Sequence, residues 1–138
     1  MTTVTYVSNA IHLLTTTELF KLLHTCRTNN ATHGLTGMLL YKDGNFMQLL
    51  EGEDKPVRDT YRKIAADRRH FGLVKVLEHP IAHRQFPDWA MAFINLDSPD
   101  AQAVPGYAEF RDLPLTDKLF QNEPIQAQKL LYVFRDTL

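Results

Sequence analysis

Apolar and polar positions change period several times along this chain, and each change predicts an element. Thr3-Val4-Thr5-Tyr6-Val7-Ser8 is rich in β-branched and aromatic residues and predicts a strand, with Val4, Tyr6 and Ser8 on one face. The period then becomes helical. Thr15 and Glu18 stand at capping-box spacing, and Leu19, Leu22, Leu23 and Cys26 recur at i, i+3, i+4 and i+7, one inward stripe that should end near Asn29-Asn30. Leu35 to Tyr41 and Asn45 to Glu51 are apolar runs separated by Lys42-Asp43-Gly44, which predicts a β-hairpin. Its second run carries Phe46, Gln48 and Leu50 on one face and Met47, Leu49 and Glu51 on the other, the pattern of a central strand covered on both sides. Pro56 suits the first turn of a second helix, whose inward face is Val57, Tyr61 and Ile64 and which should reach about Arg69. Leu73 to Leu77 and Ala90 to Leu96 predict two further strands.

The order βαββαββ predicts a ferredoxin-like α+β sandwich: a mixed five-stranded sheet with both helices on one face. The first and third strands are expected as parallel neighbours at its centre, which sets Tyr6 and Gln48 side by side beneath the helices. The domain reading is a core over residues 1–96, then a linker and C-terminal helical extension over 97–138. Two amphipathic pieces, Asp117 to Gln121 and Pro124 to Arg135, are expected to pack on the core or on a partner.

Composition narrows the class. The 138 residues are 44% apolar and 22% charged, enough for a core and against disorder. Fifteen Lys+Arg against 16 Asp+Glu leave a net charge of -1, without the basic excess of a nucleic-acid binder. No apolar stretch nears a membrane span and no signal-peptide pattern opens the chain, so a cytoplasmic protein is expected. One cysteine, Cys26, excludes an internal disulfide framework; on the helix's apolar stripe it reads as an inert small hydrophobe. The six histidines lack metal-ligand spacing, since Pro80 separates His79 from His83 and His24, His33 and His70 belong to different elements. No metal site is expected.

Gln48 stands out because an unpaired amide in that apolar run would cost about 1–3 kcal/mol if buried. Tyr6 offers a phenol next door, with Ser8 on the same face. A buried polar pair satisfied by backbone is one reading. The other is a cleft with amides, a phenol and apolar walls from Leu22, Phe46 and Ile64, suited to a planar heteroaromatic ligand. Lys63, Asp67, Arg68, Arg69 and His70 at the second helix's end either complement its dipole or clamp a ligand tail.

These residues resemble a known family. Tyr6-x-Ser8, Arg27 with Asn29-Asn30, Leu35-Thr36-Gly37, Leu39-Leu40-Tyr41, Gly44 to Gly52, Asp67-x-Arg69-His70 and Trp89-x-Met91 look like a BLUF domain, the flavin-binding blue-light sensor, from Val4 to about Leu96. The resemblance implies FAD as the usual ligand, with FMN or riboflavin as alternatives. It implies that Tyr6 donates an electron and proton to the photoexcited flavin. Gln48 would bridge the phenol and the flavin N5/C4=O edge, and its reoriented or tautomerised amide would be the signalling state. Asn30 matches the amide holding the ring's carbonyl side, with Asn29 nearby. Lys63, Asp67, Arg69 and His70 match positions flanking the ring or its tail, and Trp89 and Met91 match last-strand residues that relay the signal. Cys26, Lys63, Ala90 and Ala92 depart from common family residues and are expected to tune affinity or kinetics.

The expected function is therefore a stand-alone photosensor without a catalytic domain, forming a homo-oligomer and acting through a separate downstream protein. Two rivals are a light-insensitive ferredoxin-like adaptor, and a small hydrolase or oxidoreductase using Asn30 and Arg27. The second leaves Gln48 and Tyr6 without a role.

Overall fold

The structure, a computed structural model, describes residues 1–87 and 90–95. Its elements follow the expected order: β1 (Thr2–Ala10), α1 (Thr16–His33), β2 (Thr36–Lys42), β3 (Asn45–Gly52), α2 (Asp54–Ala66), β4 (His70–Pro80) and β5 (Ala92–Asn95). Trp89, Leu96, the linker and the two expected C-terminal helical pieces lie outside the described residues.

Helix α1 begins as its sequence dictates. The Glu18 amide donates to Thr15 Oγ1 at 3.2 Å and the Thr15 amide to Glu18 Oε1 at 3.0 Å, so two orphan donors are satisfied reciprocally. It ends later than Asn29-Asn30. Gly34, at φ 67°, supplies the left-handed cap, and Thr32 Oγ1 and His33 Nδ1 engage the Thr28 and Asn29 carbonyls within the last turn. Asn30 thus lies inside the helix, at a buried position that continues the stripe of Leu19 and Leu23.

The hairpin turns through Asp43 and Gly44, both at positive φ (49° and 79°), which matches the right-handed strand twist. Helix α2 stops at Ala66 rather than Arg69. Asp67 turns extended, its amide bonds the Ile64 carbonyl, and its carboxylate takes the Arg69 amide at 2.9 Å, a local bond that competes with the helical ladder. Strand β4 is longer than the run Leu73–Leu77, because pairing with β1 extends it from His70 to Pro80. Strand β5 is shorter than Ala90–Leu96. The Ala90 and Met91 carbonyls are taken by side chains of α1, and the ladder with β2 starts at Ala92 opposite Met38.

The sheet order is β4-β1-β3-β2-β5. The expected parallel pairing of β1 and β3 is incorrect: they are antiparallel. Crossover through α1 gives β1 and β2 the same direction, and the hairpin reverses β3 before it slots between them. Among the described residues only β2 and β5 pair in parallel, so the sheet is mixed.

Leu19 and Leu23 of α1 and Val57 of α2 pack with Val4, Leu39, Tyr41, Phe46 and Leu50, so both helices cover one face. The opposite face is also buried, at Thr3, Thr5, Met38, Leu40, Met47, Leu49 and Glu51. Strand β3 is covered on both sides, as its two apolar faces predict.

Candidate functional site

Tyr6 and Gln48 are direct partners across the β1–β3 ladder. On an antiparallel pair, opposed residues project to the same face with their Cβ atoms close enough to interact. The phenol Oη donates to Gln48 Oε1, and both side chains are buried, at 4% and 3% exposure. Tyr61 of α2 meets the Tyr6 ring edge-on, centroids 5.8 Å apart, while Lys75 Nζ sits 4.9 Å over the Tyr61 ring. Tyr6 therefore lies under α2, with Cys26 of α1 within electrostatic reach. Burial holds its phenol well above the usual tyrosine range, reinforced by Cys26, Tyr61 and Asp67. Burial likewise pushes the Cys26 thiol up to about 11, with Arg69 opposing and Asp67 reinforcing.

The other end of the Gln48 amide faces the chain that enters β5. Nε2 approaches Met91 Sδ at 3.8 Å, a weak acceptor, and Met91 is 1% exposed. Met91 is thus turned inward, beside Gln48. Helix α1 grips the same segment: Asn30 Nδ2 donates to the Ala90 carbonyl at 2.8 Å and Arg27 Nε to the Met91 carbonyl at 2.9 Å. Ser8, on the Tyr6 face next to Phe46, has a buried hydroxyl with no hydrogen-bond partner among the described residues. Leu22 and Ile64 pack against the core cluster that includes Phe46, one from each helix.

The structure therefore brings Tyr6, Gln48, Asn30, Arg27 and Met91 into one connected set, with apolar neighbours. Asn29, Lys63, Arg69 and His70 lie further from it, while Asp67 stands within electrostatic reach of Tyr6. Asn29 borders an open hollow of about 370 Å³ on α1, lined also by His24, Thr25, Thr28, Thr32 and His33 and by neither Tyr6 nor Gln48. Lys63 is exposed on α2. Arg69 and Asp67 pair with each other, Nη2 to Oδ2 at 2.6 Å, which holds the Asp67 carboxyl below the usual carboxylate range. His70 Nε2 meets the Ile64 carbonyl at 2.6 Å, closing the end of α2.

Sequence reasoning missed the grip of Arg27 and Asn30 on segment 90–91. Its one signal is that Arg27 and Asn30 follow Leu23 at helical spacing, four and seven residues on. The Tyr61–Tyr6 contact was missed too, although Tyr61 was legible as an inward residue of α2.

The donor set fits a flavin ring. Among the described residues the Gln48 Nε2 meets only a thioether and the buried Ser8 hydroxyl is uncommitted, while Leu22, Phe46 and Ile64 supply apolar flanks. Among the described residues there is no cluster of His, Cys, Asp or Glu able to hold a metal. No described helix is long and apolar enough to cross a membrane.

Comparison with known proteins agrees with this geometry. The photoactivated adenylate cyclase subunit beta of Euglena longa is 37% identical over 92 residues, 66% of this chain and 11% of that protein. The chain thus spans about a tenth of the length of that curated relative. The structure of a bacterial light-regulated adenylyl cyclase superposes with TM-score 0.64 at 35% identity, over 70% of this chain and 28% of the other. The dark-state structure of BlrB, a BLUF protein, matches 99% of this chain and 96% of its own, with TM-score 0.69 and 26% identity. The family model for BLUF, "Sensors of blue-light using FAD", matches residues 1–92. This chain belongs to the BLUF family of blue-light flavin sensors.

Proposed function

We propose that the chain binds FAD without a covalent link and signals through the hydrogen bonds of Gln48. The bond from Tyr6 Oη to Gln48 Oε1 carries this reading, because it joins a buried phenol to an amide whose other end faces Met91. A flavin held here would supply a blue-light-absorbing electron acceptor, and Tyr6 would be the residue that donates to it. A phenol buried this deeply resists becoming charged, so electron loss is coupled to release of its proton along the bond to Gln48 Oε1. Reorientation or tautomerisation of the Gln48 amide then exchanges its donor and acceptor ends without moving the backbone.

Asn30 and Ser8 would hold the ring's polar edge, with Leu22, Phe46 and Ile64 against its faces. Asp67, Arg69 and His70 at the end of α2, with Lys63 further out, would flank the ring or its tail, and Asn29 lies near Asn30. The altered amide changes what Met91 Sδ meets, and Met91 with Trp89 passes the change to the residues beyond β5. The chain itself is non-catalytic, and its output runs through another protein or domain, as the cyclase activity in the name of the Euglena longa relative suggests. It works in the cytoplasm as a homo-oligomer.

Purification tests the reading. The protein should be yellow, and blue light should shift its flavin absorption slightly to longer wavelength, with recovery in the dark. Failure to take up flavin on reconstitution would overturn it. Gln48→Leu and Tyr6→Phe should each keep flavin and lose the shift. A normal shift in either variant would refute the assigned switch.

A further inference from the structure

Glu51 is a fully buried carboxylate that takes no part in the site described above. It stands on the sheet face opposite Gln48, three residues along β3. Both its oxygens accept: Oε1 from Thr36 Oγ1 at 3.0 Å and from the Phe86 amide at 2.7 Å, Oε2 from the Gln85 amide at 2.7 Å. Arg84 completes the cluster from the same segment. Its Nη1 donates to Thr36 Oγ1 at 3.0 Å and to the Glu51 carbonyl at 3.3 Å, and its Nη2 to the Gly34 carbonyl at 2.8 Å, at the cap of α1. The adjacent Phe86 side chain is buried at 4% exposure.

We propose that Glu51 and Arg84 form a latch that positions Met91 against Gln48, and so sets how fast the sensor returns to its dark state. The proposal rests on the photosensor reading above. The latch fixes residues 84–86 to β2, β3 and the end of α1. Phe86 lies four residues before Ala90, a span of at most about 14 Å of chain, so the anchor limits where segment 90–91 can sit. From the other side Asn30 and Arg27 hold that segment by its carbonyls. Met91 is thereby pinned from both directions while its sulfur faces Gln48. Releasing one anchor makes the inward placement of Met91 harder to regain, and dark recovery slows.

Neither Glu51 nor Arg84 touches Tyr6 or Gln48, so both act as positioning residues. Glu51→Gln is the sharpest perturbation: its shape is unchanged, but its NH2 must face a hydroxyl or a backbone amide that also donates. The flavin-loaded full chain is compared with wild type by dark spectrum, light-induced shift and recovery rate. Glu51→Gln and Arg84→Ala should keep the dark spectrum and the shift, and each should slow recovery about tenfold, the scale of one unmet hydrogen bond to a charged group. The double variant should be little slower than either single one, since both open the same latch. Thr15→Ala, which removes the α1 cap, should lower the melting temperature comparably and leave recovery unchanged. Recovery within about twofold of wild type in both latch variants would overturn the proposal.

Hydrogen exchange on flavin-free protein supplies a readout independent of light. The Gln85 and Phe86 amides should exchange at least about tenfold faster in Glu51→Gln. Unchanged exchange there would remove the latch itself. A wild-type protein with no light-induced shift would instead sink the photosensor reading and with it the recovery effect, while the exchange rates still decide whether the anchor exists. If Glu51→Gln does not fold, Arg84→Ala carries both measurements.

Discussion

Tyr6 and Gln48 should be coupled thermodynamically before any light is involved. Tyr6→Phe removes the donor and leaves Gln48 Oε1, 3% exposed as a side chain, with no hydrogen to accept. Stranding one buried polar atom costs about 1–3 kcal/mol. Gln48→Leu makes the reciprocal error, leaving the Tyr6 hydroxyl without its acceptor at a similar cost. The double variant strands neither group and replaces the pair by apolar groups of similar volume, which can be nearly neutral. Each single cost should therefore exceed that of the double by about 1–3 kcal/mol, and their sum should exceed it by about 2–6 kcal/mol. For a chain of this length each kcal/mol moves the melting temperature by about 3–6 °C, so each single variant should melt about 3–18 °C lower. Thermal and urea unfolding of the flavin-free proteins measure the cycle. Costs that add to within about 0.5 kcal/mol would refute the reasoning, because independent sites behave that way.

Three further outcomes follow from the same structure. Gly37→Ala should give little soluble protein, since a Cβ there would lie 2.0 Å from the Leu49 carbonyl oxygen in the neighbouring strand; expression and gel filtration check it. Met91→Ala should cost about 2–5 kcal/mol and Met91→Leu under about 1.5, both read by urea midpoints, because only the first empties a buried volume. Alkali should destabilise the fold through Cys26. The unfolded thiol ionises near its ordinary 9.0 while the folded one keeps its proton to about 11, so its stabilising contribution is complete below the first value and lost as pH rises through the second. Unfolding midpoints at about pH 8 and about pH 10.5 should converge more in Cys26→Ala than in wild type; an equal drop in both would remove that assignment.

Much of this protein was legible along the chain. Capping residues, a two-residue turn and hydrophobic period are local properties, so α1's start, the hairpin, the element order and the faces of β1 and β3 could be read directly. The adjacency of Tyr6 and Gln48 also came through although the strands were expected to be parallel, since alternation puts both side chains on the helix-covered face whichever way β3 runs. Element ends were less legible. Asn29-Asn30 looked like a stop because asparagine is a weak helix former, yet Gly34 is the residue that can turn left-handed and release the chain.

Tertiary structure decided what joins residues far apart in sequence. The antiparallel direction of β1 against β3 follows from inserting the hairpin's second strand between β1 and β2, a relation no local pattern carries. Asn30 and Arg27 hold the carbonyls of Ala90 and Met91 across about 60 residues of chain, shortening β5 and turning Met91 toward Gln48. Glu51 reads from its neighbours as one more polar residue at a strand end; only the return of residues 84–86 makes it a buried anchor. Period and propensity act within a few residues, and so they determined the elements and the faces they present. Side-chain bonds to distant backbone depend on where the chain comes back, and the fold alone decided those.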